Sequence, residues 1–181
     1  MISKLAKVVA LTLLAYLLQT TAAIHMSLWD VAPNLALVLV AVVTVGLGRK
    51  YTFFMSLTIG YLLEIMLPVL DYISLILYPV CAMLGALAFS DKSERRLEEE
   101  RSTGKRSITL HAHIRTPLCA ALSVTVFEAV NLFYISLNGV AINGGHIGRA
   151  LIDVIYSTVL SGLLQFPLRW WLGVYKLKKA R

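Results

Sequence analysis

Acidic residues are scarce in this sequence, ten in 181. Charged residues of both signs make up only 15%, against about a quarter in an average soluble domain. That is too little polar surface to clothe a water-soluble fold of this length. Cysteine is almost missing too. Cys81 and Cys119 both fall inside apolar runs, which speaks against a disulfide framework or a cysteine metal cluster and suits two small packing residues. The chain also lacks an HExxH zinc helix, a phosphate-cradling P-loop, a GxSxG elbow and the paired aspartates of membrane phosphotransferases. No enzyme and no cofactor are expected.

What the chain has in abundance is apolar residues, 58% of the total, with a mean hydropathy of +0.75. They come in blocks rather than alternating with charge, the mark of an integral membrane protein. A bilayer core asks for about 20 apolar residues per helix. Six runs qualify: Ala6–Leu28, Val31–Leu47, Tyr51–Val69, Tyr72–Ser90, Pro117–Leu137 and Arg149–Gly173. The expected architecture is one all-α domain, residues 1–181, of six transmembrane helices, with a cytoplasmic loop over 91–116 as its only extended soluble piece. With six crossings, 16 of the 17 basic residues share one side and only Arg149 lies on the other. The positive-inside rule makes the shared side cytoplasmic, with both termini there. This topology accounts for a pI near 9.6 without nucleic acid as a partner.

The first helix has the layout of a signal peptide, with Lys4, Lys7, an apolar stretch and "TTAA" at Thr20–Ala23. Removing it would leave five helices and spoil the charge sorting, so it is expected to stay. Trp29 reads as an anchor at the outer interface, and Trp170 and Trp171 beside Arg169 as one at the inner interface. "HAH" at His111–His113 brings two imidazoles to one side only in an extended segment and lacks a third ligand. Asp30, Asp71 and His146 read as solvated, and "NGGHIG" at Asn143–Gly148 as an outward-facing turn.

Three acids fall within the predicted helices: Glu64, Glu128 and Asp153. At about 1.5 Å of rise per residue, all three lie at or beyond the midplane, toward the outer side. Ser56, Gly60 and Glu64 recur every four residues and make a strip for close helix packing. Thr125, Glu128, Asn131 and Asn138 form a broken polar edge on helix five. Helix six carries Asp153, Ser157, Ser161 and Gln165 at the same four-residue spacing, leading to Arg169. Lipid cannot satisfy such stripes, so they must face a protein interior. Two readings follow. The acids line an outward cavity for a cation, an amine or protons, or they hydrogen-bond to neighbouring helices and fix the bundle.

The stretch "DVAPNLALVLVAVVTVGLGRKYTFFMSLTIGYLLEIML" resembles the rod-shape-determining protein MreD family. Pro33, Asn34 and Leu35 stand where that family opens its second helix with a Pro-Asp-Leu-like step. The basic turn Gly48-Arg49-Lys50 follows. Ser56, Gly60, Tyr61 and Glu64 then match a Gly-x-x-x-Gly-Leu-x-x-Asp-like pattern. The distinctive residues cover about Asp30 to Gly85, and four depart from the family: Asn34 for an acid, Ser56 for a glycine, Tyr61 for a leucine and Glu64 for an aspartate. The resemblance implies a non-enzymatic scaffold of the bacterial inner membrane, working in cell elongation with MreC, and with MreB and the RodA–penicillin-binding-protein pair that makes peptidoglycan. It also implies a helical arrangement similar to the S component of energy-coupling-factor transporters.

That similarity supplies the alternative, a vitamin-binding S component. A scaffold predicts an outer pocket that is small or filled. A transport subunit needs one of a few hundred Å3, with Phe133, Tyr134 and Tyr156 as candidate walls; the helix-one alanines Ala10, Ala15, Ala22 and Ala23 do not form a clear contact face for an energising module. For the scaffold, the expected partner surfaces are the outer loops around Asp30–Asn34 and Asn138–Gly148 and the inner segment Asp91–Arg115.

Overall fold

The computed structural model describes residues 2–66, 73–89 and 111–173, and within them the protein is all-helical. The first helix, α1 (Ile2–Leu17), widens into a π-helical turn at Leu18–Ala22 and ends in one α-turn, Ala23–His25. Then come α2 (Leu35–Leu47), α3 (Arg49–Met66), α4 (Ile73–Phe89), α5 (Ala112–Leu137) and α6 (Gly144–Leu172). The expected turn at Pro68–Asp71, the loop from 91 to 110 and the basic residues from Lys176 to Arg181 lie outside the described residues.

The organising element is α2. Every side chain from Leu35 to Val45 is buried, and the helix packs against each of the other five. Around it α1, α3, α4, α5 and α6 pack in succession. Two hydrogen bonds link the ends of that series, Tyr156 Oη to the Met26 carbonyl (2.9 Å) and Lys7 Nζ to the Trp171 carbonyl (2.7 Å). Because neighbours surround it, α2 is apolar on every side. Its 13 residues reach about 20 Å, short of a hydrocarbon core of about 30 Å. At its N-terminal end the partners are other helices of the protein.

Among the described residues three helical segments are long and apolar enough to cross a membrane: Leu5–Ala22, His113–Leu137 and Gly144–Leu172. α2 and α4 are apolar but shorter, and the 18 residues of α3 include Arg49, Lys50 and Glu64. The outer surface is apolar in the manner of a lipid-facing belt, with Phe54, Ile76, Phe133, Ile155 and Leu163 all well exposed. α1 contributes Val8, Leu11 and Ala15 to the core. Ala23 is buried as well, whereas Ala10 is exposed.

Several expected boundaries move, each for a local reason. Helix two begins at Leu35 rather than Val31. Trp29 and Asp30 take left-handed conformations (φ 51° and 60°), and Leu28 and Val31 bond to each other through both backbone pairs at 3.0 Å. Helix six begins at Gly144, five residues before Arg149. Asn143 Oδ1 accepts from His146 N (3.1 Å), and His146 Nδ1 accepts from Asn143 N (3.3 Å), a reciprocal cap. The glycine-rich "NGGHIG" is thus a helix start, not a free turn. Helix five begins at Ala112, so Pro117 lies inside it. Proline has no N–H to give the His113 carbonyl one turn back; Gln165 Nε2 on α6 bonds that carbonyl instead, at 3.2 Å.

Candidate functional site

The chain enters α2 through buried Pro33 and Asn34, where any backbone donor needs a partner from the protein. Proline brings no donor. The Asn34 N–H is met by Asp153 Oδ1 at 3.1 Å and Ser157 Oγ at 3.0 Å, both on α6. Ser157 Oγ also donates to Asp153 Oδ1 at 2.8 Å. The Asn34 side chain caps α2 by accepting from Leu37 N (3.1 Å), and Gln19 Oε1 in the π-turn of α1 accepts from Ala36 N (3.0 Å). The Tyr78 hydroxyl on α4 reaches the Asn34 side chain. Four helices therefore meet at one buried helix start. Asn34 is 5% exposed, so only Trp29, Asp30 and Ala32 remain at the surface from the loop expected to greet a partner.

The α6 stripe faces inward along its whole length, with Asp153, Ser157, Ser161, Gln165 and Arg169 all buried. Arg169, to which the stripe was expected to lead, is 4% exposed and continues it. Trp170 is 77% exposed, and the Trp171 ring lies under Lys7 Nζ at 5.8 Å.

On α3 the strip Ser56–Gly60–Glu64 is buried and packs against α4. A methyl group added at Gly60 would lie 2.7 Å from the Ser74 carbonyl oxygen, so the two backbones touch. One turn on, Glu64 Oε2 accepts from Ser74 N at 3.1 Å. That N–H lies in the first turn of α4, where no intrahelical acceptor exists. Glu64 is thereby a helix-fastening carboxyl. Glu64→Gln, which keeps the acceptor oxygen, is expected to fall within about 1 kcal/mol of the parent, while Glu64→Leu loses about 1–3 kcal/mol. Unfolding of the two variants in mixed micelles compares them directly, and equal stabilities would remove the role assigned to this bond.

Gly85 on α4 makes a matching contact that its sequence context did not reveal. A Cβ there would meet Ser123 Oγ and, at 3.1 Å, Cys119 Sγ on α5. Cys119 and Cys81 are both buried free thiols. The His111 and His113 rings stack at 5.1 Å across the start of α5, and His113 stacks on Phe166 at 5.3 Å. The expected need for an extended segment is thus wrong, since a helix start brings the rings together. Among the described residues no three His, Cys, Asp or Glu side chains converge as metal ligands. Arg115 is buried, and its Nε bonds the Phe89 carbonyl at 3.1 Å, which ties α5 to the end of α4.

Glu128 stands apart from the other two acids. It contacts Asp153 and Asn131, and it also lines an open cavity of about 470 Å3 between the C-terminal half of α5 and the first turns of α6. Asn131, Tyr134, Asn138, His146 and Arg149 line the same space. Of the three aromatic walls expected, only Tyr134 takes part. Phe133 is 63% exposed, and the Tyr156 hydroxyl is bonded to Met26. A second hollow, about 600 Å3 between α1 and α3, has mainly apolar walls with Lys50 and Tyr51 among them, and it gathers no comparable polar set.

Compared with known proteins, the chain matches no family model, no curated protein and no solved structure.

Proposed function

We propose that this protein is a non-enzymatic scaffold of the cell-elongation machinery, of the MreD kind, which helps set rod shape by organising peptidoglycan synthesis with MreC. In this reading six helices cross the inner membrane with both termini in the cytoplasm, in an arrangement similar to the S-component fold. MreB, RodA and a penicillin-binding protein are the further partners. The observation that carries the reading is the use made of the intramembrane polar groups. Pro33 and Asn34 open the central helix, Asp153 and Ser157 hold it, and Gly60 with Glu64 joins α3 to α4. Asn34, Gly60 and Glu64, three of the residues that carry the family resemblance, are thus engaged at helix joints, as a rigid platform requires.

The test is genetic and chemical. Deleting the gene in a rod-shaped host is expected to round the cells, with the wild-type chain restoring rods. Photocrosslinkers at Ala141 or Ile142, exposed in the outer loop, are expected to capture the periplasmic partner MreC. Normal rod growth in a clean deletion counts decisively against the proposal.

The outer cavity favours a second reading, a vitamin-binding S component. A scaffold needs no such space and was expected to have it small or filled, yet about 470 Å3 is open beside Glu128. Against this reading, a single aromatic, Tyr134, lines the cavity, which leaves little stacking surface for a vitamin ring. A vitamin retained through purification would move the assignment to transport.

A further inference from the structure

The cavity between α5 and α6 holds opposite charges that do not meet: the Glu128 and Asp153 carboxyls lie against each other and share one negative charge, and Arg149 carries the positive one. Glu128 lies at its inner end, against Asp153. Arg149 is one turn of α6 nearer the outer end than Asp153, about 6 Å along the helix axis. Among the described residues no ion pair joins Glu128 to Arg149, although both line the same space. Asp153 is occupied by Asn34 N and Ser157 Oγ, and His146 is held by Asn143. The charges left to meet a ligand are one carboxyl at the floor and one guanidinium at the rim, with the amides of Asn131 and Asn138 beside them. Leu132 and Ile135 supply apolar wall.

This arrangement selects against simple ions. A plain cation suited to Glu128 would meet the field of Arg149, and a plain anion suited to Arg149 would meet that of Glu128. We infer that the cavity binds a zwitterion, its ammonium on Glu128 and its phosphate or carboxylate on Arg149. A guanidinium matches either oxyanion with two parallel hydrogen bonds. The apolar wall and the open outer side admit two sources of that chemistry: the headgroup of a zwitterionic phospholipid with its chains in the surrounding bilayer, or a free zwitterion such as phosphoethanolamine. Only the leaflet sampled rests on the topology proposed above, and binding in detergent does not depend on it.

The experiment follows thermal unfolding of the purified full-length chain in detergent. The additives are phosphatidylethanolamine, phosphatidylglycerol with the same acyl chains, and phosphoethanolamine. Ligands that bind only the folded state raise Tm by mass action. Phosphatidylethanolamine is expected to raise Tm several degrees more than phosphatidylglycerol does, and Glu128→Gln or Arg149→Gln to abolish that difference. Arg149→Lys, which keeps the charge, should retain most of it. The readout is a difference between additives on the same variant, so a change in baseline stability does not confound it. Preference for phosphatidylethanolamine alone identifies a lipid headgroup as the source, and an equal effect of phosphoethanolamine identifies a free ligand. No preference for either zwitterion, or one that survives both charge-removing substitutions, overturns the inference. That outcome leaves the cell-shape result untouched, because a deletion reads the whole chain rather than this cavity.

Discussion

Asp153→Leu is expected to loosen α2 from α6 and to lower stability by about 1–3 kcal/mol, because two buried donors lose an acceptor and the Asn34 N–H is left with Ser157 Oγ alone, at 3.0 Å. One donor is the Asn34 N–H, 3.1 Å from Asp153 Oδ1; the other is the Ser157 hydroxyl at 2.8 Å. The Asn34 N–H is tied to a backbone at 5% exposure and cannot turn toward water. Leucine supplies no acceptor and adds bulk where Asn34, Ser157 and Glu128 converge. Asp153→Asn keeps an acceptor oxygen in place and supplies an amide donor for Glu128, so its loss should stay below about 1 kcal/mol. Ser157→Ala leaves Asp153 as acceptor for Asn34 and should fall between the two. Unfolding by denaturing detergent in mixed micelles orders the three, and an aspartate-to-leucine variant as stable as the asparagine one would remove this joint from the account.

The second large effect concerns Gly60. Its position against the Ser74 carbonyl oxygen leaves 2.7 Å for an added methyl, inside any ordinary contact. That oxygen belongs to the α4 backbone, so relief requires moving a helix. Gly60→Ala is expected to cost about 2–3 kcal/mol, at the upper end of overpacking penalties, and to weaken the Glu64–Ser74 bond one turn away. Gly85→Ala is the control. The atoms nearest its added methyl are the Ser123 hydroxyl and the Cys119 thiol, side-chain ends that turn on one bond, and the one backbone atom there, the Cys119 carbonyl oxygen, lies farther off at 3.3 Å. The alanine at Gly60 should therefore be clearly the more damaging of the two. Melting temperatures of both variants in one detergent decide the order, and the reverse order would show that α3 and α4 yield more easily than α4 and α5.

The stripes of α3 and α6 were readable because two simple rules act on them together. Lipid accepts no unsatisfied polar group, and a helix repeats its face about every four residues. Ser56–Gly60–Glu64 and Asp153–Ser157–Ser161–Gln165 therefore had to point inward, and they do. The same rules lead the α6 stripe on to Arg169, and it is buried there. They left open which of the three acids is a fastener and which faces a cavity. Glu64 and Asp153 are spent on backbone N–H groups, and Glu128 alone lines the open space. That split depends on the neighbour opposite each acid, which no spacing along one helix encodes.

By itself the sequence determined that the protein is helical, with an apolar exterior and polar stripes turned inward, because its composition and four-residue spacings ask for that arrangement. Tertiary structure alone decided that α2 is the hub, and it did so for a reason of shape. The polar stripes of α3 and α6 are hidden only against other helices, and α2, buried from Leu35 to Val45, fills the space they enclose. The helix start at Asn34 then falls inside the bundle, and its buried N–H calls for the Asp153–Ser157 pair that meets it.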